Sequence, residues 1–212
     1  MSSGLPLRPF FRKFQNDNLG TIILAAAALL LGVIFGVLAV GVLDGEQKAN
    51  LWSYLTVFLS ELPNRSIDGH RVFLESIGEN LKTAALLWVL GLSVLGVPVI
   101  LVVLFLRGFI LGFTVGFLVA DFGWHGFLFS LAGVLLPALA IVPALVFSGA
   151  AALSFAFFLV KSVLIHQRGG WRELGKMTMV MAIMSLLFVV GGIYEGYLGP
   201  VLLRLLAGNL RA

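Results

Sequence analysis

The sequence predicts an all-α integral membrane protein that crosses a lipid bilayer about five times, with its N-terminus in the cytoplasm. The first observation is composition: the 212 residues are 60% hydrophobic and 11% charged, with a mean hydropathy of +1.07. Soluble domains are nearer half apolar and a quarter charged, and a chain this short cannot bury so much apolar surface in one core. The second is a series of long uncharged runs, and the third is the distribution of Lys and Arg between them. We therefore expect one polytopic membrane domain over residues 1–212.

The first predicted span covers residues 19–43. A basic segment precedes it, as in a signal peptide, but its 25 uncharged residues exceed the roughly 7–15 of a signal-peptide core. No small-x-small cleavage site leads from it into a soluble domain. We therefore expect a retained transmembrane helix.

The next two spans are predicted at residues 83–106, which include Pro98, and 108–122. The latter run has only 15 residues, about 22 Å of helix, so it can cross only if its flanking residues lie in the interfaces. Arg107 would then be a topology anchor at the cytoplasmic interface, at a tight junction between the two helices. Trp124 would lie in the opposite interface.

The fourth predicted span, residues 126–160, is 35 residues long without a charge. A straight helix of that length would measure about 52 Å, too long for one upright crossing. Pro137 and Pro143 are expected to break it near its middle. Its first part could be a kinked continuation of the span or a re-entrant piece. The fifth span runs over residues 177–194.

The distribution of basic residues orients the chain. With the N-terminus in the cytoplasm and five crossings, the cytoplasmic segments contain eight bases and two acids. Those bases are Arg8, Arg12, Lys13, Arg107, Lys161, Arg168, Arg172 and Lys176. The long fourth segment must then cross once, because two crossings would place the stretch 161–176 outside. The C-terminus is expected outside.

Residues 44–82 form the only sizeable loop in this topology, on the extracytoplasmic side, with six acids against four bases. Apolar residues recur at helical spacing over positions 51–62, which predicts an amphipathic helix. This helix could pack on the bundle or the membrane surface. It could also bind an extracytoplasmic partner, in which case Trp52, Tyr54 and Phe58 are the candidate contact residues.

Catalytic patterns are absent from the sequence, so we expect no enzyme activity and no cofactor. There is no cysteine, no His-Glu-x-x-His motif, no nucleophile elbow and no P-loop. The topology separates His70 and His125 from His166, which argues against a shared metal site. Asp121 and Glu195 lie at span ends, where an interfacial role is the simpler interpretation. Nothing in the pattern suggests nucleic-acid binding.

Glycines are spaced four apart in three of the predicted spans, which favours close helix packing in lipid. The residues concerned are Gly32, Gly36, Gly108, Gly112, Gly116, Gly192 and Gly196. Packing within the chain is the simpler interpretation, and formation of a homodimer is the second.

Several blocks of the sequence resemble the stage II sporulation protein M family. They are residues 73–82 (FLESIGENLK), 106–116 (LRGFILGFTVG), 123–126 (GWHG), and Pro137 and Pro143 with the Ser-Phe pair at 154–155. The Arg-Gly-Phe-x-x-Gly-Phe pattern that begins at Arg107 is the most specific of them. The resemblance extends over essentially the whole chain.

The resemblance implies a non-enzymatic membrane scaffold or anchor for peptidoglycan hydrolases during sporulation engulfment. It places the protein in the bacterial cytoplasmic membrane, in the septal membrane of the mother cell. The implied partners are membrane lipid and membrane-bound cell-wall hydrolases, and Asn80, within the first block, joins the partner-binding candidates. The alternative function is a small permease or channel subunit, favoured by the broken fourth and short third segments because discontinuous helices often border transport sites. The lack of ionisable residues near mid-membrane in this topology argues against it.

Overall fold

The computed structural model describes residues 14–61, 69–165 and 170–202, and every regular element within them is helical. The helices are α1 (Leu19–Val42), α2 (Gly45–Glu61), α3 (Gly69–Gly91), α4 (Gly96–Ser130), α5 (Leu136–Ile165) and α6 (Gly170–Ile193). π-Helical segments follow α4 at Leu131–Leu135 and α6 at Tyr194–Leu198. Within the described part, three helical stretches are long and apolar enough to span a membrane: Leu19–Val42, Gly96–Ser162 and Gly170–Leu202. The all-α membrane class is therefore confirmed.

Helices α1 and α4 run side by side in the same direction. Gly32 lies against the backbone of Phe105 and Phe109, and one turn later Gly36 lies against Phe109 and Phe113. Because the contact positions advance in the same direction along both helices, the two helices are parallel. We call the end of the bundle where α1 and α4 begin the near end, and the opposite end, where α1 finishes, the far end.

Helix α3 returns towards the near end and forms an antiparallel hairpin with α4. The turn occupies residues 92–95, and Gly96 packs directly on the backbone of Leu90. Pro98 is the third residue of α4, where its missing N–H leaves no helical hydrogen bond unmade.

The predicted junction between two helices at Arg107 is wrong, because α4 continues through Arg107 as regular helix. Residues 69–82, assigned to a loop from the sequence, are the first part of α3.

The chain reverses at Gly123, within α4. Gly123 has φ 55° and ψ −126°, a backbone conformation open only to glycine, and three residues later Gly126 contacts the backbone of Leu118. α4 thus has a long first arm (96–122) and a short second arm (124–130). The break expected at Pro143 does not occur, since α5 continues through it; the irregular stretch is the π-helical segment that ends two residues before Pro137.

Helices α5 and α6 complete the bundle. Gly149 of α5 contacts Leu104 of α4, and Gly191 of α6 contacts Ile141 of α5. The chain therefore runs from the far end to the near end along α5 and back to the far end along α6. The core is filled by small alanines of α5 and by large side chains from all the packed helices. Its most buried members include Leu87, Ile100, Leu104, Leu145, Leu153, Met177, Val180 and Phe188.

Candidate functional site

The α1–α4 interface is formed by glycines on both helices. A methyl group added at Gly32 or Gly36 would collide with the α4 backbone, and one added at Gly108 or Gly112 would collide with the carbonyl oxygens of Leu29 and Val33. Added carbon at Gly116 would lie 3.2 Å from the Cα of Val37, so the contact is looser there. Backbone-to-backbone approach of this kind is how helices associate in lipid, where apolar burial gives little net drive.

The glycines of the last span lie elsewhere. Gly192 faces the side chain of Ile77 on α3, and Gly196 is buried within the π-helical segment after α6. All seven predicted glycines thus lie in helices of the bundle, and those with described contacts pack against its own helices. The contacts are within one chain, which is the simpler of the two interpretations offered by the sequence.

Arg107 is the one charged residue in the first arm of α4 before Asp121, and it faces α3. Its Nη2 donates a hydrogen bond to the carbonyl oxygen of Glu79 (3.2 Å) and another to the hydroxyl of Thr83. Thr83 is buried and Arg107 itself is half-buried. The guanidinium is therefore held against the backbone of a neighbouring helix.

The depth of Arg107 follows from its neighbour, Gly108. Gly108 lies against Leu29 and Val33, which are the eleventh and fifteenth of the 24 residues of α1. α1 is about 36 Å long, enough to cross the hydrocarbon core of a bilayer of about 30 Å. Arg107 therefore lies level with the middle of an uncharged spanning helix, a depth at which an ionisable residue is expected to have a function.

Four further charges lie along the outward side of α3, at intervals of four, four and three residues. Arg71 pairs with Glu75 at 3.1 Å, and Lys82 pairs with Glu79 at 2.9 Å. These four side chains remain between 64% and 79% exposed. We call this surface, made of Arg71, Glu75, Glu79 and Lys82, the charged face of α3.

The candidate partner-binding residues do not form one cluster. The Trp52 ring lies 5.0 Å from the ring of Phe122, at the far end, and is 39% exposed. Tyr54 and Phe58 belong to α2, but their side chains lie outside the described part of the structure. Asn80 is 5% exposed on the inward side of α3, so a partner outside the bundle cannot contact its side chain directly.

Polar groups at the far end connect α3 and the π-helical segment Leu131–Leu135 to the segment after α6. The Ser76 hydroxyl donates to a Glu195 carboxylate oxygen, and the Tyr194 hydroxyl donates to the carbonyl oxygen of Ala132 at 2.9 Å. Asp121 has one buried carboxylate oxygen without a partner among the described residues. The described residues contain no cluster of His, Asp and Glu suited to a metal, and His166 is not among them.

Comparison with protein-family models decides the family. The model described as Stage II sporulation protein M matches residues 25–200, from α1 to the end of α6 and its π-helical extension. The chain belongs to the stage II sporulation protein M family. Searches of curated proteins and of solved structures gave no significant match.

The sequence blocks that resemble the stage II sporulation protein M family are brought together by the fold. Residues 73–82 form the charged half of α3, and residues 106–116 form the part of α4 packed on α1. The hydrogen bonds of Arg107 to Glu79 and Thr83 join the first block to the second. The 123–126 block contains the reversal at Gly123, which seats Gly126 against the first arm of α4.

Sequence reasoning missed the pairing of Arg107 with α3. A single charge between two apolar runs suggests a span boundary, and that assignment placed Arg107 at the interface. A signal was nevertheless present: charges at 71, 75, 79 and 82 recur on one side of a helix. A helix charged on one side only is more typical of a bundle element than of a loop.

Proposed function

We propose that this chain is a non-enzymatic membrane scaffold that holds membrane-bound cell-wall hydrolases in place during sporulation engulfment. Its family membership over residues 25–200 carries this proposal. In this proposal the bundle crosses the bacterial cytoplasmic membrane five times, through α1, α3, the first arm of α4, α5 and α6. The membrane concerned is the septal membrane of the mother cell.

The arrangement of charges supports the proposed orientation. Lys161, Arg172 and Lys176 lie towards the near end, where α1 also begins, and the sequence that precedes α1 is basic. Basic residues favour the cytoplasmic side, so the near end is cytoplasmic and α2 lies outside. α2 follows α1 at the far end, and its described ring contact with the bundle is between Trp52 and Phe122. In this position it can contact a hydrolase that acts on the cell wall.

The test is recovery of the hydrolase partner with a variant of α2. Replacing Trp52, Tyr54 and Phe58 together by Ala removes three aromatic side chains, a residue class that often dominates binding energy at interfaces. We expect recovery of cell-wall hydrolases from detergent-solubilised membranes to fall, with membrane insertion unchanged. The matched control replaces Ser53, Thr56 and Ser60, which helical spacing puts on the side of α2 opposite Tyr54 and Phe58, by Ala. Normal recovery with the aromatic variant would contradict the proposal.

A small permease or channel subunit is the second candidate. The observation in its favour is the discontinuity of the long helical stretch, which reverses at Gly123 and is π-helical over Leu131–Leu135. π-Helical segments occur often at functional sites. Solute or ion flux through proteoliposomes that contain only this chain would favour this function over the scaffold.

A further inference from the structure

The charged face of α3 lies at a depth where the other outward surfaces of the bundle are apolar. Arg107 is level with the middle of α1, and it contacts α3 at Glu79 and Thr83, next to Lys82. At corresponding depth α1 exposes Leu30 and Ile34, each more than half exposed. The same holds on α6 for Leu186 and Val190. One side of the bundle is therefore ionic and the others suit lipid.

Hydrocarbon is an unsuitable neighbour for this face. Ionised side chains near the centre of a bilayer are costly, and they normally face protein or water. A lysine can extend its ammonium group by about 6 Å, whereas the centre of the hydrocarbon core is about 15 Å from either interface. Lys82 lies too deep for its ammonium group to reach the headgroups, and Glu79 is shorter still.

Contact with water explains the exposure of these four charged side chains better than contact with a covering protein segment does. Each of the four charges already has an opposite charge on its own helix, yet the side chains stay exposed. At the centre of the face is Gly78, where an added methyl group would meet nothing within 4 Å. A protein segment covering this face would have to bring further charges of its own or leave these pairs buried without solvent, which is costly.

We propose that water enters from the far end along the charged face of α3 and reaches the level of Lys82 and Arg107. The bundle then contains a hydrated half-path open at one side of the membrane. It closes towards the near end, because the same side of α3 becomes apolar at Leu86 and Val89. This inference depends neither on the scaffold function nor on transport, since it concerns only what the face contacts.

Thiol labelling can test this directly, because the chain contains no cysteine. The reporter is Gly78→Cys, which fits the open space and keeps every charge. Leu30→Cys, exposed on α1 at the depth of Arg107, is the control for a lipid-facing position. Ala49→Cys on α2 reports the far end and Gly175→Cys on α6 reports the near end. Each variant is purified, reconstituted in proteoliposomes and treated with a membrane-impermeant maleimide.

We expect Gly78→Cys to react at least about tenfold faster than Leu30→Cys, because the reactive species is the thiolate and it forms in water. In vesicles of mixed orientation the reagent reaches the far end of some molecules and the near end of the others. The fraction of Gly78→Cys molecules labelled should equal the fraction of Ala49→Cys molecules labelled, and this fraction and that of Gly175→Cys should add up to one. An elution volume like that of the unmodified chain in size-exclusion chromatography shows that each variant is folded.

Three results would overturn the proposal. Labelling of Gly78→Cys as slow as that of Leu30→Cys would show that water does not reach the face. Slow labelling together with a disulfide between two Gly78→Cys chains under mild oxidation would show that a second copy covers it. Labelling of Gly78→Cys to the same fraction as Gly175→Cys, instead of Ala49→Cys, would place the opening at the near end. None of these results depends on whether the chain binds a hydrolase.

Discussion

Gly112 shows how a single hydrogen atom in place of a side chain sets the distance between α1 and α4. An added methyl group there would collide with the carbonyl oxygen of Val33 and lie 2.8 Å from its Cα, which are backbone atoms that cannot rotate away. At Gly116, a turn further, the nearest atom is 3.2 Å away. The tightest part of the interface therefore coincides with the depth of Arg107, so glycine packing also holds α4 where Arg107 can contact α3.

Replacing Gly112 by Leu should separate α1 from α4 and lower the free energy of unfolding in detergent by about 3 kcal/mol, at the upper end for overpacking. The matched control is Gly41→Leu, near the end of α1, where an added methyl group meets nothing within 4 Å. Reversible unfolding in mixed micelles, followed by circular dichroism, measures both variants. Equal stability of the two would show that the interface is not closely packed.

At the scale of elements, the sequence predicts the bounds of uncharged helices well. It misplaces helix boundaries where a charged side chain forms hydrogen bonds inside the bundle. α1 was predicted to within a residue, since Asp17 and Asp44 bound it on both sides. The boundary between α3 and α4 was misplaced, because it is an uncharged turn at 92–95 while Arg107 interrupts the apolar run. Hydropathy cannot show that Thr83, distant in sequence, accepts a hydrogen bond from that arginine. The close spacing of the glycines was evident in the sequence, but which helix each contacts was not.

The reversal at Gly123 is the element-scale feature most open to mutation. Its φ of 55° with ψ of −126° is accessible to glycine alone, so Gly123→Ala should destabilise the bundle by about 1–3 kcal/mol through backbone strain. Gly175→Ala is the control, because Gly175 is helical with open space around it, and alanine there should stabilise by about 0.5–1 kcal/mol. Thermal unfolding in detergent compares them. Opposite signs are expected, and a neutral Gly123→Ala would mean that the chain turns without strain.

The whole molecule combines an apolar bundle with one ionic side, and its ends differ in charge. Helix directions follow from side-chain contacts: α1, the first arm of α4 and α6 run from near end to far end, and α3 and α5 run back. If all five helices cross the membrane, as proposed above, the start of α1 and the end of α6 lie on opposite sides of it. The five crossings expected from the long uncharged runs of the sequence stay a prediction, and the boundary expected at Arg107 lies instead at the turn 92–95.

The proposed five crossings make the side of each terminus a whole-molecule prediction. Fluorescent protein fused before Met1 should fluoresce, because it folds in the cytoplasm, and alkaline phosphatase fused after Ala212 should be active, because its disulfides form only outside. The reciprocal pair, phosphatase at the N-terminus and fluorescent protein at the C-terminus, is the control and should be inactive and dark.

If α3 lay on the membrane surface because of its charged face, four crossings would remain. Both termini would then share one side, and the C-terminal phosphatase would be inactive. An active C-terminal fusion therefore requires α3 to cross with its charges, which is the arrangement that brings Lys82 and Arg107 to mid-membrane.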